Sequence, residues 1–143
     1  SKTMLQMQIH TDEDGWRDIT VKKIMLVDDE EDVLLSLTAS LVRNGFQVDG
    51  FSDSSLALKD FEKGKYDLVI VDIRMPGIDG FELYEKMEEI DENIKVCFIT
   101  GFEFNYLALR EIYPSLNFGS FIRKPVETEE LLTKIQSELG KSK

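Results

Sequence analysis

Residues 66–80 read Tyr66-Asp67-Leu68-Val69-Ile70-Val71-Asp72-Ile73-Arg74-Met75-Pro76-Gly77-Ile78-Asp79-Gly80. The apolar run inside this stretch is bounded by the carboxylates of Asp67 and Asp72, and it is far too short to cross a bilayer. A short, unbroken apolar run of this kind fits a strand buried on both faces, the habit of parallel sheets covered by helices on either side. The loop after it is punctuated by Pro76, Gly77 and Gly80, and residues 66–72 are therefore predicted as the central strand.

The same alternation extends in both directions. Upstream, Ile24-Met25-Leu26-Val27 is a second buried run that stops abruptly at Asp28-Asp29. Val33, Leu34, Leu37, Leu41 and Val42 then fall on one helix face, with Gly45 where a C-terminal cap belongs. Residues 47–51 form a further strand, and Ser52 or Asp53 caps a helix running to about Glu62, which Lys63-Gly64-Lys65 ends. Downstream, a helix over 81–90 carries Tyr84 and Met87 on its apolar side, and 95–100 is a strand. A helix over 102–113 is stopped by Pro114. A short strand at 120–123 leads to Lys124-Pro125, and a last helix over 128–139 has Leu131, Leu132, Ile135 and Leu139 as its stripe with Gly140 beyond. Five strand–helix repeats imply a parallel α/β sheet with right-handed crossovers. Residues 23–140 make up this domain, preceded by a flexible or loosely docked extension over 1–22 and followed by a tail over 141–143.

The chain has 143 residues, 42% hydrophobic and 31% charged, which suits one soluble globular unit with a normal core. Its formal charge of -11 disfavours nucleic acid and anionic membrane surfaces as partners, since both demand basic side chains. A single cysteine, Cys97, precludes an intrachain disulfide and points to a reducing cytoplasm. Cys97 lies mid-strand and reads as a small buried hydrophobe. His10, in the extension, takes no role.

In an open parallel sheet the working crevice lies outside the carboxyl ends of the strands, where strand order reverses. The predicted strands deliver Asp28, Asp29, Asp72, Thr100 and Lys124 to that rim. Three carboxylates so close repel one another unless a cation intervenes. Mg²⁺ suits them, because it prefers oxygen ligands and takes one or two carboxylates together with a phosphate; the absence of His and Cys from the rim disfavours zinc or copper. Such a site can support attack of an aspartate on a phosphoryl group, with Lys124 and the Thr100 hydroxyl countering charge on its oxygens. Asp72 is the best nucleophile, because it ends the central strand and faces the glycine-rich loop.

Val27-Asp28-Asp29-Glu30, the stretch from Val71 to Gly80, Phe98-Ile99-Thr100-Gly101 and Arg123-Lys124-Pro125 together resemble the signature segments of response-regulator receiver domains of two-component signalling. One segment would be weak evidence, whereas four in order at the ends of the right strands are specific. The resemblance covers the chain from about Lys23 to Leu139. It implies a flavodoxin-like (βα)5 three-layer sandwich whose five-stranded parallel sheet has the order 2-1-3-4-5. Asp72 would be the phosphoacceptor. Asp29, Asp72 and the Arg74 backbone carbonyl would bind Mg²⁺, with Mn²⁺ as an alternative, and Asp28 would act through a water. Thr100 and Lys124 would hold the phosphoryl group, Thr100 and Phe121 would form the switch, and the peptide before Pro125 would be cis. Arg74 and Phe102 occupy the positions that tune dephosphorylation, with bulky Phe102 expected to shield the acyl phosphate.

The implied partners are a histidine kinase or histidine phosphotransfer protein, docking on the first helix and the Lys124–Pro125 loop, and a downstream protein effector. The effector would read the surface of helix four, strand five and helix five. The expected state is a monomer or a phosphorylation-dependent dimer, and the expected activity is signalling rather than turnover of an external substrate. No output domain follows Leu139, so the expectation is a stand-alone receiver or a fragment of a longer chain. Two departures from the family stand out. Phe121 lacks the hydroxyl of the tyrosine many relatives carry, and the connection over 113–118 is longer and more irregular than usual.

Two rivals remain. A phosphatase of the haloacid-dehalogenase type also uses an aspartyl phosphate, but it carries a second aspartate two residues after the nucleophile, where this chain has Arg74. A pseudo-receiver would be a binding module that takes no phosphate, although every chemical position here is filled.

Overall fold

The computed structural model describes residues 8–10, 17–19, 21–101, 106–112 and 120–141. Its centre is a sheet of five parallel strands: β3 (Lys23–Val27), β4 (Gln47–Phe51), β5 (Leu68–Asp72), β6 (Val96–Thr100) and β7 (Ser120–Arg123). They lie in the order β4-β3-β5-β6-β7, which counted along the domain is the expected 2-1-3-4-5. The described helices are α1 (Glu31–Arg43), α2 (Ser54–Asp60), α3 (Gly80–Ile90), α4 (Tyr106–Ile112) and α5 (Thr128–Leu139).

Successive side chains on a strand point to opposite faces, and the sheet uses this to feed two cores. Met25, Val27, Val69, Val71 and Phe98 pack on one face with Ala57 of α2 and with Phe81, Tyr84 and Met87 of α3. Ile24, Leu26, Leu68, Ile70, Cys97, Ile99 and Ile122 pack on the other with Leu37 and Leu41 of α1 and with Leu131 and Ile135 of α5. Layers on both sides explain why β5 and β6 are apolar without alternation, and why every residue in both is buried. Burial also raises the Cys97 thiol to about 12, which leaves it inert.

Local chemistry sets the helix ends. α1 closes with Gly45 at φ 91 while Phe46 N–H donates to the Leu41 carbonyl and Gly45 N–H to that of Val42, the two bonds of a Schellman motif. Asp53 caps α2, its carboxylate accepting from the Ser55 and Leu56 amides. α2 stops at Asp60 rather than near Glu62, because Phe61 takes an extended backbone and enters the core as a 4% exposed side chain. Burial of the ring outweighs the helix propensity of the following residues. The central strand begins at Leu68 rather than Tyr66. Tyr66 is instead buried before it, its hydroxyl 2.7 Å from Asp49 Oδ2 and 2.5 Å from Asp60 Oδ2.

The N-terminal extension holds structure that the sequence reading did not anticipate. β1 (Gln8–His10) and β2 (Arg17–Ile19) pair antiparallel, with Ile9 opposite Asp18. The expected fourth helix over 102–113 and the irregular connection over 113–118 fall partly or wholly outside the described residues. Within them, α4 spans Tyr106–Ile112.

Candidate phosphoryl-transfer site

Strand order reverses at β3, which has β4 on one side and β5 on the other, and the crevice opens beyond the carboxyl ends of β3 and β5. Register aligns those ends. Val27 lies opposite Val71, Asp72 opposite Ile99, and Thr100 opposite Arg123. The next residues along, Asp28, Asp29 and Lys124, therefore meet Asp72 and Thr100 on one rim. The rungs continue past the strands: Asp28 N–H donates to the Phe51 carbonyl at 3.0 Å, and Lys124 N–H to that of Thr100 at 2.8 Å.

Asp28, Asp29 and Asp72 each offer a carboxylate oxygen, and these oxygens lie within 4.8 Å of one another. Asp28 is 0% and Asp72 4% exposed, whereas Asp29 faces solvent. Lys124 Nζ is 2.6 Å from Glu30 Oε1, 3.2 Å from Asp72 Oδ2 and 3.2 Å from Asp28 Oδ2. The approach to Asp28 Oδ2 is an ion pair without hydrogen-bond geometry, and that fully buried oxygen has no hydrogen-bond partner. A buried carboxylate oxygen that accepts no hydrogen bond is incompletely satisfied even beside an ammonium, and a second cation is a natural complement. The other Asp28 oxygen accepts from the Glu30 amide at 2.9 Å, and Asp72 Oδ1 accepts from the Arg74 amide at 3.3 Å.

The electrostatics follow from this crowding. Burial, then the Asp28 charge beside it, raise the Asp72 carboxyl from 3.8 to about 6, against the pull of Lys124 and the Arg74 amide. Burial alone would depress Lys124. The hydrogen bond to Glu30, together with the nearby charges of Asp28 and Asp72, outweighs it and holds the ammonium above its ordinary range. A hard cation bound by oxygens fits this donor set, since it would relieve both the buried Asp28 oxygen and the raised Asp72.

Around this centre the backbone is closely shaped. Gly80 opens α3 directly against the end of β5, its N–H donating to the Ile73 carbonyl at 2.8 Å. A Cβ there would collide with the Asp72 carbonyl oxygen and lie 2.8 Å from Ile73 Cα, so only glycine fits. The Lys124–Pro125 peptide is cis. Thr100 is buried at the end of β6. Phe121 is half-buried, its ring stacked on Phe98 at 5.3 Å and tilted against Phe81 at 6.5 Å. Phe102 lies outside the described residues.

Two openings adjoin the site. A pocket of about 210 Å³ beside Asp72 is lined by Glu30, Asp72, Arg74, Gly101 and Lys124. A larger one of about 540 Å³ lies between α1 and the loop after β7, lined partly by Val33, Ser36, Leu37, Pro125 and Val126. Glu30 was part of a quoted motif but had no role from sequence. Its contact with Lys124 spans 94 positions, which only the fold can reveal.

The family model described as the response regulator receiver domain matches residues 24–136. The response regulator receiver protein CpdR of Brucella abortus (strain 2308) is 30% identical over 119 residues, covering 83% of this chain and 98% of its own. The sporulation initiation phosphotransferase F of Bacillus subtilis (strain 168) is 31% identical over 120 residues, covering 82% and 94%. A crystal structure of a CheY-like response regulator receiver domain protein from Methanospirillum hungatei JF-1 superposes with a TM-score of 0.75 at 28% identity, covering 84% and 94%.

Proposed function

The chain belongs to the response-regulator receiver family, and from that premise we propose that it is a signalling phosphoacceptor in which Asp72 takes a phosphoryl group from a phosphohistidine. The observation that carries this reading is the rim itself: three carboxylates within 4.8 Å, one buried oxygen among them accepting no hydrogen bond, and an ammonium 3.2 Å from both that oxygen and Asp72.

Asp28, Asp29 and Asp72, with the Arg74 backbone carbonyl, would hold Mg²⁺. Bound there, the ion supplies positive charge that keeps Asp72 ionised and offsets charge on the transferred group. Transfer forms an O–P bond at Asp72 and breaks the N–P bond of the donor. The electron pair leaves on the imidazole nitrogen, which takes a proton from solvent. The Asp72 carboxylate needs no base, because it attacks as an anion; Lys124 and the Thr100 hydroxyl meet the phosphoryl oxygens. Arg74 and Phe102, the second residues after Asp72 and Thr100 in sequence, would tune the lifetime of the product.

The partners follow from the surfaces. The cleft between α1 and the Lys124–Pro125 loop is where a kinase or phosphotransfer protein would dock, since it borders the acceptor and joins apolar to acidic lining. On the far side, half-buried Phe121 stacks on Phe98 and would turn as Thr100 is drawn toward the phosphoryl group, a shift of population between two packings. α4 presents Leu107 and Ile112 at 75% and 65% exposure, and with β7 and α5 it makes the surface a protein effector would read.

The test is intact mass after incubation with Mg²⁺ and acetyl phosphate. The native chain should gain one phosphoryl group and Asp72→Asn none. A native chain that stays unmodified while a known receiver gains mass under identical treatment would overturn the reading.

A further inference from the structure

Lys124 is surrounded unevenly. Asp28 and Asp72 reach it from the buried side, each at 3.2 Å, with side-chain exposures of 0% and 6%. Glu30 reaches it from solvent, 60% exposed, and makes the shortest contact of the three at 2.6 Å. An exposed glutamate ordinarily gains little from holding one partner, because ordering the side chain offsets most of the attraction.

The setting of Glu30 favours this contact. It occupies the N-cap position of α1, where a side-chain oxygen usually accepts from the first turn, yet its carboxylate makes no capping bond. Its own amide is instead held by Asp28 Oδ1 at 2.9 Å. The backbone of Glu30 is thereby tied to the acceptor cluster while its side chain is left to turn toward Lys124. The two side chains form part of the lining of the 210 Å³ pocket beside Asp72.

We propose that Glu30 is a positioning residue, a solvent-side latch that competes with the incoming phosphoryl group for the Lys124 ammonium. This rests on the phosphoacceptor reading above. A phosphoryl group on Asp72 needs that ammonium, and taking it means breaking the 2.6 Å contact. Breaking it costs little on the wet side, so the latch tunes the reaction without blocking it. A carboxylate facing the pocket holds Lys124 until an anion of higher charge arrives, which keeps the unmodified state from recruiting weaker anions.

The experiment compares the native chain with Glu30→Gln and Glu30→Asp, all with Mg²⁺. Phosphorylation by acetyl phosphate is followed by intact mass, and binding of beryllofluoride, a non-covalent phosphoryl mimic, by calorimetry. Gln removes the charge, and Asp keeps it but is one methylene too short to span the contact. Both variants should react faster and bind the mimic more tightly, by about two- to fivefold, the scale of one exposed charge contact. Loss of structure would move both measurements the other way. If the native chain is phosphorylated but Glu30→Gln reacts no faster, or Glu30→Asp behaves like the native chain, the latch is overturned and the phosphoacceptor reading stands. If the native chain takes no phosphoryl group at all, both fall.

Discussion

Asp72 carries a cost that its ionisation exposes. Burial and the Asp28 charge raise its carboxyl from 3.8 to about 6, so the folded chain binds this proton more tightly than the unfolded one. The stability this confers is complete below about pH 4 and is lost as the pH climbs through about 6. At neutral pH without metal, the ionised Asp72 therefore costs on the order of 1–3 kcal/mol. Asp72→Asn, neutral and of the same shape, should be more stable than the native chain by that order in metal-free buffer at about pH 7. The advantage should vanish near pH 4. Urea unfolding at the two pH values measures it, and an equal difference at both would refute the assignment of strain to this carboxylate.

Among the elements, α3 starts in close contact with the backbone of the central strand. Its first residue, Gly80, has no room for a Cβ, because the Asp72 carbonyl oxygen and Ile73 Cα occupy the space. Gly77, in the loop just before, has φ 80 but open space around it. The two glycines are thus needed for different reasons, and their alanine variants should separate. Gly77→Ala should lose only about 1 kcal/mol, the cost of a left-handed backbone for a residue with a Cβ. Gly80→Ala must push the helix off the end of β5 and should lose about 3 kcal/mol or more. Urea midpoints of the two variants give the comparison, and a Gly80→Ala as mild as Gly77→Ala would mean that α3 can shift freely.

For the molecule as a whole, the cluster of Asp28, Asp29 and Asp72 is a strain that a cation would relieve. A ligand that binds only the folded state stabilises it by mass action, about 2.7 kcal/mol at a hundredfold excess over its dissociation constant. Millimolar Mg²⁺ should therefore raise the unfolding temperature of the native chain by several degrees, and EDTA should reverse the rise. Asp29→Asn, which removes the exposed member of the trio, should flatten the response. A shift of equal size in that variant would place the ion elsewhere.

Much of this was legible in the chain itself. Continuous apolar runs at 24–27, 68–71 and 96–99, each ending in a polar residue, require strands buried on both faces. That requirement leaves a parallel sheet with helices on either side, and it puts Asp28, Asp72 and Thr100 on one rim, because parallel strands all end at the same edge. Periodicity placed α1 and α5 for the same reason: local patterning and core burial agree there. Where they conflict, the tertiary structure decided. α2 ends at Asp60 because the Phe61 ring is worth more in the core than another turn of helix. The β1–β2 pairing has strands too short to leave a pattern. Contact between Glu30 and Lys124, the Asp28 oxygen that accepts no hydrogen bond and the raised Asp72 carboxyl belong to no local stretch. Such properties depend on distance through space and on exclusion of water, and both come into being only when the strands have assembled.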